Sequence, residues 1–398
     1  MSEQLSKLAV ICYGKSPGDV VEECGLFPII GTGGRYGWAS KAMFSGPAVV
    51  VPRKGSLGNP QLLLEPFWPV DTTFAVIPEK HVDVHWLYYG LLNFDLTKLN
   101  EATGVPSISR NWLSRIRFFN PDKEQKRQIG KILRSVDETI EKTESLIAKY
   151  QQIKAGLMHD LFTRGVTADS KLRPPRDKAP ELYKETLIGW IPKEWDAVVL
   201  DHLCSIVDPQ PDHRTPAEQD DGIPYIGIGD FDAFGDVDTS SCRRVVISAY
   251  LRQKDRFSVE SGDVIYGKIG TIGQPKKLPG SEYALSANVL LMKPSINKRY
   301  FLHALMTRYF AKQISDITNT TSQPALGIEK VRKLQLPSPS STEQVLIARY
   351  LDQLDSKLVK EFSAAQKLKK QKTGLMFDLL TGKVLVKVQR EPVEMVCG

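Results

Sequence analysis

Residues 122–163, DKEQKRQIGKILRSVDETIEKTESLIAKYQQIKAGLMHDLFT, read as one continuous helix. Apolar residues recur at alternating spacings of four and three: Ile129, Leu133, Val136, Ile140, Ile147, Tyr150, Leu157 and Leu161. This is the heptad period of a coiled-coil seam, interrupted by Thr143 and Lys154 at two seam positions. At ~1.5 Å per residue the run makes a rod of roughly 60 Å, far longer than an ordinary globular helix.

A second copy follows at residues 340–382, SSTEQVLIARYLDQLDSKLVKEFSAAQKLKKQKTGLMFDLLTG. Aligning Leu375 with Leu157 sets an offset of 218 residues (375 − 157), and every seam position then meets a seam position. The second seam is Ile347, Leu351, Leu354, Leu358, Glu361, Ala365, Leu368, Lys372, Leu375 and Leu379. Both copies end in Gly-Leu-Met-x-Asp-Leu-x-Thr, at Gly156–Thr163 and Gly374–Thr381, so the chain is an internal duplication.

The seam lysines indicate the direction of pairing. In a parallel pair Lys154 would face Lys372, like charge against like charge in a partly desolvated seam. Antiparallel pairing sets Lys154 beside Leu354 and Lys372 beside Val136, where the methylene stems lie on aliphatic surface and the ammonium groups reach water. The antiparallel pair is expected.

The 398 residues predict several domains, and an apolar fraction of 41% with a negative mean hydropathy is that of a soluble globular chain. Neither a membrane run nor a signal peptide is read in it. The five cysteines, Cys12, Cys24, Cys204, Cys242 and Cys397, are odd in number and form no C-x-x-C pair, which suits a reducing cytoplasm. A net charge of +7 suits a polyanionic partner without requiring one.

Before the first helix, residues 1–121 carry short β-branched and aromatic runs cut by Gly and Pro: AVICY, FPIIGTGGRYGWAS, PAVVVPRKGSLGNPQLLLEPF and TTFAVIP. HVDVHWLYYGLLNF then predicts a short helix with Trp86, Leu87, Leu91 and Leu92 on its apolar face. Residues 164–195, rich in Pro and charge, read as an extended connector without its own core. The strand-and-turn texture returns over residues 196–338, ahead of a second helix at 339–381 and a tail at 382–398.

Fragments of the second module echo the first. Phe27–Gly34 resembles Ile223–Asp230, Arg53–Pro60 resembles Lys268–Pro275, and Val105–Pro121 resembles Gln323–Pro339. The expected fold class is α+β: two β-rich modules joined by two long antiparallel coiled-coil helices.

Motifs for chemistry are missing or incomplete. Cys12–Pro17 ends like a phosphate-binding loop, but its first glycine is replaced by Ala9. The stretch from Gly262 holds Lys268, yet Ile269 stands where a magnesium-binding hydroxyl is needed. An amino-methyltransferase needs an Asn/Asp-Pro-Pro-aromatic turn, and Asn59-Pro60-Gln61 lacks the second proline and the aromatic. His81 and His85 straddle a strand-to-helix turn, and the six histidines form no metal-ligand pattern.

The candidates for DNA contact lie in Gly-rich loops, Arg35, Tyr36, Arg53 and Lys54 in the first module and Arg243, Arg244, Lys268, Lys276 and Lys277 in the second, joined by Asn319 in the polar turn Asn319–Gln323 ahead of the second module's last strand. Arginine can grip a guanine edge through two hydrogen bonds, while lysine more often meets phosphate.

Together, the two variable modules, the repeated helices ending GLMxDLxT, and Gly189-Trp190-Ile191-Pro192 with Trp195 resemble the specificity subunit of a type I restriction-modification system. In that family the Gly-Trp-Ile-Pro lead-in opens the second target-recognition domain; the N-terminus carries no second copy of it. The resemblance implies a non-catalytic subunit reading a bipartite double-stranded DNA target, one half-site per module, with the helices as spacer. It implies docking of two modification subunits, which use S-adenosylmethionine to methylate adenine, and of restriction subunits using ATP and magnesium. This chain itself would hold no cofactor. A coiled-coil scaffold binding only protein would share the helices but leave two basic Gly-rich modules without purpose.

Overall fold

The computed structural model describes residues 2–232, 234–280, 282–318 and 325–387. Its contacts divide the chain into two units: Met1–Ser145 with Phe362–Gly398, and Leu146–Glu361. The division runs through both long helices, Lys123–Thr163 and Ser341–Leu380, so each unit owns one module and half of each helix.

In the first unit an antiparallel sheet has the spatial order Ala9–Tyr13, Thr73–Pro78, Ala48–Pro52, Gln61–Leu63. Its central strand Ala48–Pro52 is buried at every residue, as a strand covered on both faces must be, which explains the unbroken apolar run Ala48-Val49-Val50-Val51. A second sheet holds Val21–Glu22, Gly34–Ala39, Phe27–Gly31 and Trp68–Pro69, the last pair parallel. Asp83 caps the helix Val84–Asn93 by accepting from Trp86 N at 2.9 Å, and that helix buries Trp86, Leu87 and Leu91.

The second unit repeats this plan. Cys204–Val207, Val289–Pro294, Val264–Gly267 and Lys276–Lys277 form the four-stranded sheet in the same spatial order. Glu218–Ile226 pairs in parallel with Ala284–Leu285, as Phe27–Gly31 does with Trp68–Pro69. Even single hydrogen bonds recur: Ile108 N donates to Arg53 O and Leu326 N to Lys268 O, each at 2.9 Å.

The long helices start alike. Asp122 Oδ1 accepts from Gln125 N at 2.8 Å, and Ser340 Oγ accepts from Glu343 N at 3.3 Å, at positions that the repeat superposes. In the first unit the helix halves run antiparallel, since Asp137 meets Lys372 at 2.7 Å and Glu144 meets Lys369 at 2.6 Å. In the second, Lys154 meets Asp355 at 2.5 Å. Ile129, Leu133, Ile140, Ile147, Leu161, Ile347, Leu351, Leu354, Leu358 and Leu379 are buried. Val136, Tyr150, Leu157, Leu368 and Leu375 are half-buried. One expectation is corrected here: Lys154 and Lys372 do not simply reach water, because an aspartate one residue beyond each facing seam position takes the ammonium.

The connector is a second correction. Residues 183–186 and 189–192 form a β-hairpin, and Tyr183, Ile188, Ile191 and Trp195 are buried in the second unit. Arg173, buried, donates to Glu343 Oε1 at 2.5 Å and Glu194 Oε2 at 2.6 Å, while Trp195 Nε1 and Val166 N also donate to Glu343, at 2.9 and 2.7 Å. A carboxylate with this many donors can be buried, and it fastens the segment to the start of the second long helix. Gly165 lies within this cluster at φ 68°, where a Cβ would collide with Glu343 Oε1 and Trp195.

Candidate nucleic-acid interface

In the first unit the central strand Ala48–Pro52 delivers Arg53 to a loop whose course is set by main-chain bonds. Arg53 N and Lys54 N donate to Thr72 O at 2.8 and 3.2 Å, and Lys54 bridges to Ser107. The Arg53 guanidinium lies 5.2 Å from the Tyr13 ring centre and its Nη1 donates to Asp71 O at 3.2 Å. The Gly31–Gly34 turn approaches from the other sheet, tied down by Gln61 Nε2 donating to Gly31 O at 2.8 Å; Gly34 at φ 120° makes the turn possible.

That turn presents Arg35, stacked 4.5 Å over Trp38, and Tyr36, which is 63% exposed. Partial burial and the nearby Asp71 carboxylate push the Tyr36 phenol above its ordinary range, so it stays a neutral donor. Residues 31–36 and 70–72 line one shallow hollow. The structure therefore gathers Arg35, Tyr36 and Arg53 around Asp71, with Lys54 exposed beside them.

The second unit treats its candidates differently. Arg243 Nε pairs with Glu218 at 2.6 Å, and Arg244 Nη1 donates to Gly222 O at 2.5 Å, so both brace the strand Glu218–Ile226. Lys277 is exposed, and Lys276 lies 5.8 Å from the Phe231 ring. Asn319 lies outside the described residues. Lys268 is corrected: it is 2% exposed and its Nζ sits 2.6 Å from Asp208 Oδ2 and 3.5 Å from His213 Nδ1. A buried ammonium neutralised by a carboxylate is unavailable to DNA.

The two units can be superposed residue by residue at this place. The strand registers match Tyr13 with Asp208 and Arg53 with Lys268, and the matching bonds of Arg53 N to Thr72 O and Lys268 N to Asn288 O set Asp71 against Ala287. Tyr13 and Asp71 are members that sequence reading missed. Only the register of the repeat, carried back to the first strand, could have found Tyr13.

Among the described residues no three His, Cys, Asp or Glu side chains assemble into a metal-binding group, and no helix is long and apolar enough to cross a membrane. Cys12, Cys24, Cys204 and Cys242 are free thiols; burial pushes Cys204 up to about 12, which keeps it protonated and unreactive.

The fold and the site together describe a duplicated pair of α+β modules, with exposed basic side chains at the loop of the first. The family model for the type I restriction modification DNA specificity domain matches residues 15–152 and again 192–367. The chain belongs to that family. It is 26% identical over 80% of its length to the type I restriction enzyme MjaVIII specificity subunit of Methanocaldococcus jannaschii, covering 75% of that protein. To the putative MjaX specificity subunit of the same organism it is 22% identical over 83% of its length, covering 74%. The fold resembles the crystal structure of the type I restriction-modification S subunit from M. genitalium, with TM-score 0.64, 17% identity and 96% of both chains covered. It also resembles a chain from a structure concerned with complex assembly and conformational transition of the type I R-M system, with TM-score 0.54, 16% identity, and 96% and 98% covered.

Proposed function

We propose that this chain is the non-catalytic subunit that reads an asymmetric, bipartite DNA target for a cytoplasmic type I restriction-modification complex. Each unit reads one half-site. The long helices pair as an antiparallel coiled coil through the seam Ile129 to Leu161 and Ile347 to Leu379, set the gap between half-sites, and dock two modification subunits. Those subunits bring S-adenosylmethionine and methylate adenine; restriction subunits supply ATP- and magnesium-dependent cleavage and translocation.

The observation that carries this reading is one backbone frame used twice with different side chains: Tyr13, Arg53 and Asp71 in one unit occupy the positions of Asp208, Lys268 and Ala287 in the other. A shared frame suits a shared ligand, the duplex, and side chains left free in one unit but closed into an ion pair in the other suit unlike half-sites. An internal duplication offers one module to each half-site, and one methylated adenine is expected on each strand.

The test is to express the chain with modification subunits in a host lacking adenine methylation and to map methylated adenines across the genome. A single target of two unlike half-sites around an unspecified gap is expected. A continuous motif, or methylation without sequence preference, would overturn the reading.

A further inference from the structure

We propose, on the basis of that DNA-reading function, that Arg53 and Asp71 together read one G·C base pair in the half-site of the first unit. Arg53 donates to guanine O6 and N7, and Asp71 accepts from the cytosine amino group.

The first support is positioning. Arg53 is half-buried, its guanidinium rests against the Tyr13 ring, and one donor is spent on Asp71 O. Among the described residues nothing else accepts from it, which leaves most of its five N–H groups for a ligand. Fixing the plane of the fork in advance is what bidentate reading of a base edge requires, whereas a phosphate can be held by any mobile cation.

The second support is the neighbour. Asp71 is exposed, and Arg53 bonds its main-chain carbonyl, so its carboxylate is not consumed by the arginine. That carboxylate lies close enough to Tyr36 for its charge to be felt at the phenol. A negative group beside the cation repels phosphate but matches the cytosine amino donor, and guanidinium with carboxylate is the complement of the G·C major-groove edge.

The third support is the contrast between units. Where the first has Tyr13, Arg53 and Asp71, the second has Asp208 and Lys268 closed on each other at 2.6 Å, and Ala287. The same frame there offers neither a free donor nor an acceptor. The position is therefore a reading position in one unit and silent in the other.

The experiment uses the chain in complex with its modification subunits and a target library carrying all four bases at every position of both half-sites. Wild type should require G·C at one position of one half-site by about tenfold or more. Arg53→Ala and Arg53→Lys should both relax that position alone, and Asp71→Asn should relax it in part. Arg53→Lys keeps the charge while losing the fork, and an unchanged melting temperature for it separates impaired reading from impaired folding. Equal weakening at every sequence with a flatter salt dependence would make Arg53 a phosphate contact and overturn the assignment. So would unchanged preference at every position, or a wild-type target without a specified G·C pair. A wild type that methylates no bipartite target would overturn the function itself, a result distinct from these.

Discussion

Lys154 Nζ lies 2.5 Å from Asp355 Oδ1, and the repeat carries this pair onto Lys372 and Asp137, 2.7 Å apart. The pairs are equivalent because both members shift by the same 218 residues. Each is partly shielded, with side-chain exposures of 22% and 36% in one pair and 20% and 25% in the other. Asp137 additionally accepts from Tyr89 Oη at 2.7 Å. A charge pair set into an apolar stripe penalises any sliding of one helix on the other, because slipping would bury a lysine without its carboxylate.

Lys154→Met and Asp355→Leu should each destabilise the second unit by about 1–3 kcal/mol, and the double variant should recover a large part of that loss. Urea unfolding of the four-member cycle measures it. A coupling of zero would mean that the pair contributes nothing to register.

The Arg173–Glu343 cluster should be less forgiving. Glu343→Ala takes from the Arg173 guanidinium its buried carboxylate, leaving only the exposed Glu194, and removes the acceptor of Trp195 Nε1 and Val166 N, so a loss of about 3–5 kcal/mol is expected. Near-neutral unfolding of that variant would show that the connector is held by its apolar contacts alone. Trp195 fluorescence should report the loosening directly.

Salt dependence separates phosphate-binding residues from scaffolding. Removing one cation that meets a phosphate should flatten the slope of log K against log salt by about 0.9, so Lys276→Ala with Lys277→Ala should weaken binding to all sequences alike. Asp208→Asn with Lys268→Met, which empties a buried pair, should leave the slope unchanged. A flattened slope for the second double variant would return Lys268 to the DNA surface.

Helix length should set the target's gap. Inserting seven helix-forming residues in both helices, between Ser145 and Leu146 and between Glu361 and Phe362, preserves the heptad phase and adds about 10 Å. That corresponds to about three base-pair steps, so methylation mapping should return both half-sites with a gap wider by about three. An unchanged gap would show that the helices do not act as spacer.

The duplication, the two long helices and the short strands were legible because each is a periodic or composition-level signal. Heptads survive the loss of any single residue, and runs such as Ala48-Val49-Val50-Val51 have few alternatives to a buried strand. Contacts distant in sequence were not legible. Lys268 sits among glycines like a surface lysine, and only Asp208, sixty residues earlier, decides its burial. The connector's prolines and charges suggested a linker, yet Tyr183 and Trp195 needed only a surface to cover, and Glu343 lies 170 residues from the Arg173 that it neutralises. Asp71 carries no pattern at all, and its place beside Arg53 comes from a loop meeting a strand end.

The main-chain bonds around Arg53 and Lys268 involve no side-chain atom. Replacing residue 13, 53 or 71 therefore exchanges the letters without disturbing the socket that holds them. Such a chain can acquire a new address in one half of its target while the other half, and every subunit it must still fit, stays as it was.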